Sequence, residues 1–483
     1  MKPYYTSLFM FAIIGVLAAV AAIFPAEGIE IGELSLNYPT LQEVFDQEDE
    51  STKPELSPEE LLALRAQEMR LAEEREFLDF FEHNPAAIRL PKNNSGETDY
   101  RFFDSFFQAL EGADTTSLRV VHYGDSQIEE DRITRVLRNR LQQQFGGKGV
   151  GLVPLYQTVQ SLTVGQYTSR EPKRHSVFWL KQYRRTGSRM YGPMGQMSVL
   201  DSTLTVSINP RSKLTGMLPA HYFDKVTLLT YSGNNIYASW KGNRQTVTPA
   251  NTRLQMTPLE VPDSSTSLSL TLSGSGDVYG IMLDGNTGVQ VDNIPMRGCS
   301  GTIFVGIDAM QLSTYFRETN TRLIIMQFGG NNMPYLKSEK VIETYLTTLG
   351  EQVRYMQRQA PDAKILFIGP SDMTTRMQGK MQTYPWLPDF DARLAETVTA
   401  NGAAYWSMFM SMGGVGSMQQ WVRSGLAGSD YIHFTRKGSD EVGDMLCNAL
   451  LTGYDYYNWR REQLLPNEPL KVPMETCTPT QEK

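Results

Sequence analysis

The spacing of apolar positions changes repeatedly along this chain, and each change marks a different kind of element. Leu8 to Phe24 reads LFMFAIIGVLAAVAAIF without a charge, and at about 1.5 Å per residue such a run reaches the lower end of what crosses a hydrocarbon core. Ser57-Pro58-Glu59-Glu60 then supplies an N-cap, a first-turn proline and a Glu at the third position, which opens a helix. Leu61, Leu64, Met69, Leu71, Leu78 and Phe81 give it a partial apolar stripe up to about Glu82. That pattern predicts a spacer or docking helix with its charges in water.

From Tyr100, short apolar runs alternate with amphipathic ones. The spacing predicts a helix over 102–109, a strand over 118–122 and a helix over 131–145 closed by Gly146-Gly147. Strand–helix pairs follow at 323–327 with 339–359 and at 364–368 with 389–399, then a strand at 403–406 and a last helix from about Arg436 to Leu451. Unbroken apolar strands between amphipathic helices predict a mostly parallel sheet covered on both faces, with ligands beyond the carboxyl ends of its strands. Between Val150 and about Tyr279 the runs at 204–208, 225–231, 235–240 and 267–272 are short, rich in Thr, Val and Tyr, and split by Gly, Pro and Asn. They predict an antiparallel β domain inserted into the α/β unit. Its aromatics, Trp240 and Tyr237 first among them, lie three apart on one strand, so one faces the core and the other is free to stack on a sugar ring.

The resulting plan has residues 1–26 as a signal peptide or signal-anchor, 27–98 as an acidic, partly helical leader, and 99–150 as the first part of the α/β domain. The β insert takes 151–279, the second part of the α/β domain 280–455, and a polar tail 456–483. Lys2 before the apolar run and acidic residues after it orient the body away from the cytoplasm. Ala26 suits cleavage and Phe24 does not, so removal of the segment and anchoring in the inner membrane by residues 8–24 both stand. Either way the body is expected to be periplasmic or extracytoplasmic.

Composition narrows the function classes. With 41% hydrophobic and 20% charged residues, most of the chain folds rather than serving as a polar tether. A net charge of −8 without a dense basic run excludes a nucleic-acid partner. Cys299, Cys447 and Cys477 cannot all pair within one chain, so disulfides are not the main source of stability.

Gly124-Asp125-Ser126 directly follows the strand VVHY, where a serine ahead of a helix meets converging backbone N–H groups. Of the histidines, His433 has an aspartate, Asp430, three positions before it. That turn can hold a carboxylate on one ring nitrogen while the other faces a nucleophile. Gly298-Cys299-Ser300-Gly301 and Gly329-Gly330-Asn331-Asn332 are small loops suited to presenting N–H donors to an oxyanion. Viewed singly, each is equally a tight turn or an N-cap. Asp125 suits holding the nucleophile loop through backbone bonds; His122 reads as a structural histidine and Cys299 as a turn residue. No Gly-x-Ser-x-Gly, His-Glu-x-x-His, Cys-x-x-Cys, Walker A or dinucleotide fingerprint occurs, so no cofactor or metal is expected. Met408, Met410 and Met412 read as core or as a soft wall beside the site.

GDS at 124–126, GCSG at 298–301, GGNN at 329–332 and DYIH at 430–433, in that order, resemble the four blocks of the SGNH/GDSL hydrolase superfamily. Gln127 departs from the usual fourth letter of the first block. The resemblance implies a flavodoxin-like three-layer α/β/α sandwich, with Ser126 as nucleophile, His433 as base and Asp430 as its partner. Ser126, Gly301 and Asn331 would form the oxyanion hole, supported by Gly124, Asp125, Gly298 and Gly330. A β-rich insert between the first two blocks is similar to the extracytoplasmic peptidoglycan and polysaccharide O-acetylesterases and O-acetyltransferases. That branch implies an O-acetylated glycan substrate and, for a transferase, cell-envelope acetylation machinery as partner. A non-catalytic glycan-binding scaffold is the reading from another class.

Overall fold

A computed structural model describes residues 57–464, apart from 180–183, 185–186, 212–218, 232–234 and 248–252, together with short stretches between 9 and 36. Two compact units result, Met1–Glu76 and Phe77–Lys483. In the first, Ile29–Ile31 pairs antiparallel with Leu34–Leu36. Within the apolar run at 8–24, positions 9, 12–13 and 15–20 are helical and the others lie outside the described residues. Among the described residues no helix is long and apolar enough to cross a membrane. The helix expected at Ser57 spans Pro58–His83 with no buried residue. Its capping box forms as the sequence implies: Glu60 N donates to Ser57 Oγ at 3.2 Å and Ser57 N to Glu60 Oε2 at 2.8 Å.

The second unit is built on five parallel strands: β1 (Ser117–Gly124), β2 (Gly288–Pro295), β3 (Thr321–Gln327), β4 (Lys364–Ile368) and β5 (Ala404–Trp406), in the order β2-β1-β3-β4-β5. Helices α1 (Thr134–Phe145), α2 (Ala309–Glu318), α3 (Glu339–Gln359), α4 (Leu387–Ala400) and α5 (Arg436–Leu464) cover it. Alternation along β3 explains its unbroken apolar run at 323–326. Leu323 and Ile325 enter a core with Leu137 and Leu446, whereas Ile324 and Met326 enter another with Leu312, Val353 and Leu394. Both faces are buried, so no position is left for a polar residue to face water.

Two boundaries differ from expectation. The last helix continues to Leu464 rather than stopping near Leu451, where Tyr456 packs in tilted contact against Phe77 and Phe81 at 5.2 and 5.5 Å between ring centroids. Part of the segment expected as leader instead closes the sheet edge: Arg89 N donates to Tyr405 O at 2.7 Å and Tyr405 N to Arg89 O at 2.8 Å. Pairing there satisfies backbone groups that an open edge would expose.

The insert is antiparallel, as the texture of the sequence implies. Its spine is a 17-residue strand, Leu268–Asp284, which pairs with 204–208 and 235–239 in its first half and with 151–153, 198–200 and 225–230 in its second. The spine runs past Tyr279 to Asp284 and hands over directly to β2. At this seam Arg119 on β1 is buried between Asp284 at the end of the spine, 2.5 Å away, and Asp292 on β2. Asp292 also accepts Leu152 N from the insert's first strand at 2.8 Å and the Tyr315 hydroxyl from α2. Gly151 must be glycine here: its φ is +75°, and a Cβ would lie 2.4 Å from the Asp292 carboxylate.

Burial opposes the charge on Arg119, but Asp284 and Asp292 overcome it and hold the guanidinium protonated. Burial pushes the Asp284 carboxyl up, against the pull of Arg119. Arg119→Met strands two buried carboxylates and is expected to cost about 3–5 kcal/mol in urea unfolding. The deficit should shrink as pH falls and the carboxyls protonate; a deficit independent of pH would mean that packing, not charge, is what Arg119 supplies.

Candidate active site

All four sequence blocks converge at the carboxyl ends of the parallel strands. Ser126 follows β1, Gly298 follows β2, Asn331 follows β3, and the turn before α5 carries Asp430 and His433. Ser126 Oγ lies 2.9 Å from His433 Nε2, although the two residues are 307 positions apart. His433 Nδ1 lies 2.7 Å from Asp430 Oδ2. Asp430 Oδ1 accepts the backbone N–H groups of Ile432 and His433 at 3.0 and 3.1 Å. This tight wrap requires Tyr431 at φ +59°, a left-handed conformation that costs a non-glycine residue about 1–3 kcal/mol. Partial burial opposes ionisation of Asp430, but the hydrogen bonds from His433 and Ile432 outweigh it and hold the carboxyl below its ordinary value.

Ser126 is not at a helix N-terminus as the sequence suggests. A 3₁₀ turn at Glu129–Asp131 intervenes and α1 begins only at Thr134, so neither the helix dipole nor an N-cap role applies to this serine. Its own N–H, and that of Gly298, make no hydrogen bond among the described residues. Gly301 does not fit the role expected of it. Its N–H donates to Cys299 Sγ at 3.3 Å, and its φ of +82° places the missing Cβ 2.8 Å from the Phe328 ring. It is a packing glycine, and Gly298 lines the cavity instead.

Asn331 Nδ2 donates to Asp125 Oδ2 and to Cys299 O, both at 3.0 Å. Both amide hydrogens therefore brace the loops after β1 and β2 against each other. Asp125 Oδ1 accepts Gln127 N at 2.9 Å, which folds the turn around Ser126. Gly124 packs closely, an added Cβ lying 2.9 Å from Ile128, whereas one at Gly330 would meet only ordinary contacts, 3.4 Å from Met373.

A cavity of about 340 Å³ opens beside the serine, with Arg297, Tyr335, Met373 and Met408 among its walls. Sequence reasoning noticed Gln127 only as a departure from the family pattern. Its side chain donates to Ile432 O at 2.7 Å and so ties the serine turn to the histidine turn. Tyr335 at the cavity, 70% exposed, carried no signal in the sequence. Met408 lines the cavity while Met412 is core. Trp240 is buried with its indole N–H on Glu260 O, and Tyr237 lies under Arg244; neither lines the cavity. Burial pushes the Cys299 thiol up to about 12, which disfavours a thiolate. It pushes His122 down to about 3, with its ring nitrogens on Gln327 and Thr134. His122 is a buried structural group.

Residues 263–440 match the model of the GDSL-like lipase/acylhydrolase family. The chain carries a GDSL/SGNH-type esterase domain. Three of the four blocks fall inside that match, and the fold brings in Ser126 from beyond the insert. The chain resembles a solved peptidoglycan O-acetylesterase at 20% identity and a TM-score of 0.61, over 76% of this chain and 98% of that one. This is a likeness of fold. A family two carbohydrate esterase from Clostridium thermocellum aligns at 12% identity over 55% of this chain and 96% of that one, with a TM-score of only 0.25. No curated protein sequence matches the chain.

Asp125 gives the GDSL domain a pH signature. Burial raises its carboxyl from 3.8 to about 6, against hydrogen bonds from Gln127 and Asn331 and the nearby His433. The folded state therefore keeps a proton that the unfolded chain loses, and stability falls as pH rises through that window. Asp125→Asn cannot ionise. Relative to wild type it should gain about 2–3 kcal/mol in urea unfolding between about pH 4 and about pH 8; an unchanged difference would show that Asp125 ionises freely.

Proposed function

We propose that the protein is a serine esterase that removes O-acetyl groups from a cell-wall or extracellular polysaccharide outside the cytoplasm. The observation that carries this reading is the unbroken line from Ser126 Oγ through His433 to Asp430 beside an open cavity. The likeness in fold to a peptidoglycan O-acetylesterase supports acetylated glycan as the substrate class.

In this mechanism His433 Nε2 takes the Ser126 proton as Oγ attacks the acetyl carbonyl. Asp430 holds the other ring nitrogen and stabilises the imidazolium. The N–H groups of Ser126 and Gly298 meet the developing oxyanion, and Asn331 keeps their two loops in register while sharing an amide hydrogen with it. His433 then returns the proton to the departing sugar oxygen. Water activated by the same histidine cleaves the acetyl-serine, releasing acetate and restoring the hydroxyl.

A sugar hydroxyl in place of that water would make the reaction a transfer. The side chains of His433 and Asp430 are 38% and 49% exposed, so water reaches the acyl-enzyme freely, which favours hydrolysis. Measuring acetate against acetylated acceptor, with a sugar acceptor present, separates the two.

Ser126→Ala should abolish acetate release and labelling by an organophosphorus probe while circular dichroism stays unchanged. Labelling at the wild-type rate would overturn the assignment. Asn331→Ala should lower kcat by about 10²- to 10³-fold with little change in KM; a change confined to KM would assign Asn331 to substrate binding instead.

A further inference from the structure

A second cavity, of about 380 Å³, lies where the insert meets the GDSL domain. The insert contributes Tyr156, Phe178 and Trp179 to its wall, and the domain contributes Glu129, Asn293 and Arg297. Apolar rings beside amide and carboxylate groups suit a sugar, whose faces stack and whose hydroxyls need partners. Arg297 also lines the catalytic cavity, where it is the one Lys or Arg among the described lining residues. The two cavities therefore meet at a single cation.

That cation is poorly engaged. Of the five N–H donors of a guanidinium, Arg297 uses one among the described residues, a contact of 3.3 Å from Nη1 to Glu129 Oε2. Its side chain is 68% exposed, against 12% for Glu129. Arg138, the other arginine at the second cavity, is buried and already bidentate to Asp131 at 2.6 and 3.2 Å. A planar fork with free donors, standing beside the reacting ester, matches a carboxylate.

We propose that the two cavities form one binding channel for an acidic glycan, and that Arg297 at their junction grips a carboxylate on the sugar carrying the acetyl ester or on its neighbour. This rests on the reading of the protein as a glycan esterase. Glu129 acts as the internal stand-in: it holds the guanidinium until the substrate's carboxylate takes the open side of the fork. The neighbouring sugar then lies against the aromatic wall formed by the insert, giving the insert a part in substrate choice rather than in the chemistry.

The test is calorimetric binding in the Ser126→Ala background, which cleaves no ester. Two acidic probes are used, tetragalacturonate and peptidoglycan glycan strands stripped of peptide, each beside its methyl-esterified neutral form. At least one acid is expected to bind about ten-fold or more tighter than its neutral form, a preference that shrinks with added salt. Arg297→Gln should remove the preference, Arg297→Lys should keep part of it, and Glu129→Gln, which frees the guanidinium, should strengthen it. Equal binding of acid and neutral forms for both probes, or a preference that survives Arg297→Gln, overturns the proposal. Because no turnover is read, failure of the wild-type protein to release acetate would sink the esterase reading and leave this result standing on its own.

Discussion

A single buried cation holds the two halves of the domain together. Arg119 sits on an interior strand of the parallel sheet, yet its partners, Asp284 and Asp292, belong to the end of the insert's spine and to the strand that follows. A charge in such a place is tolerable only if both carboxylates stay, so the spine must end where it does and β2 must start beside β1. Asp292 then reaches back to Leu152 and fixes the insert's first strand as well. The chain leaves the sheet and returns to it within one hydrogen-bonded cluster, and a large excursion between the first two sequence blocks leaves the register of β1 and β2 intact.

That register matters because the candidate chemistry lives in the loops just beyond it. Ser126 and Gly298 carry open N–H groups on loops that follow neighbouring strands, and Asn331 bridges those loops through Asp125 and Cys299 O. Gln127 adds a bond to the histidine turn. Ser126, His433 and the N–H groups proposed to meet an oxyanion are thus held by contacts between loops rather than by one rigid helix terminus. Cost accompanies this arrangement: Tyr431 is left-handed and Asp125 is buried with a carboxyl raised to about 6. Strain and an unfavourable buried acid concentrated at one end of the sheet are what a site selected for geometry over stability shows.

Much of this was legible in the sequence, for a physical reason. Strands buried on both faces are mostly apolar, and helices buried on one face are periodic, so the α/β frame, the change to β texture at Val150 and the bounds of α3 and β4 follow from local pattern. The four blocks are short and locally wrapped, as in the Asp430–His433 turn, so their residue types already imply what they can bond. The capping box at Ser57 is local in the same sense, and it forms.

What only the tertiary structure decided depends on residues far apart in the chain. That the Gly301 N–H is taken turns on the sulfur of Cys299, and that position 301 must be glycine turns on the packing of Phe328. Where the last helix ends turns on Phe77 and Phe81, which give Tyr456 a partner. That Arg297 stands between two cavities follows from how the insert folds back over the turn after Ser126. Periodicity records which face of an element is buried and says nothing about which distant atom meets it, so the sequence by itself determined the frame and the candidate reacting groups, and the packing of remote segments determined which N–H groups stay open and which residues wall the cavity.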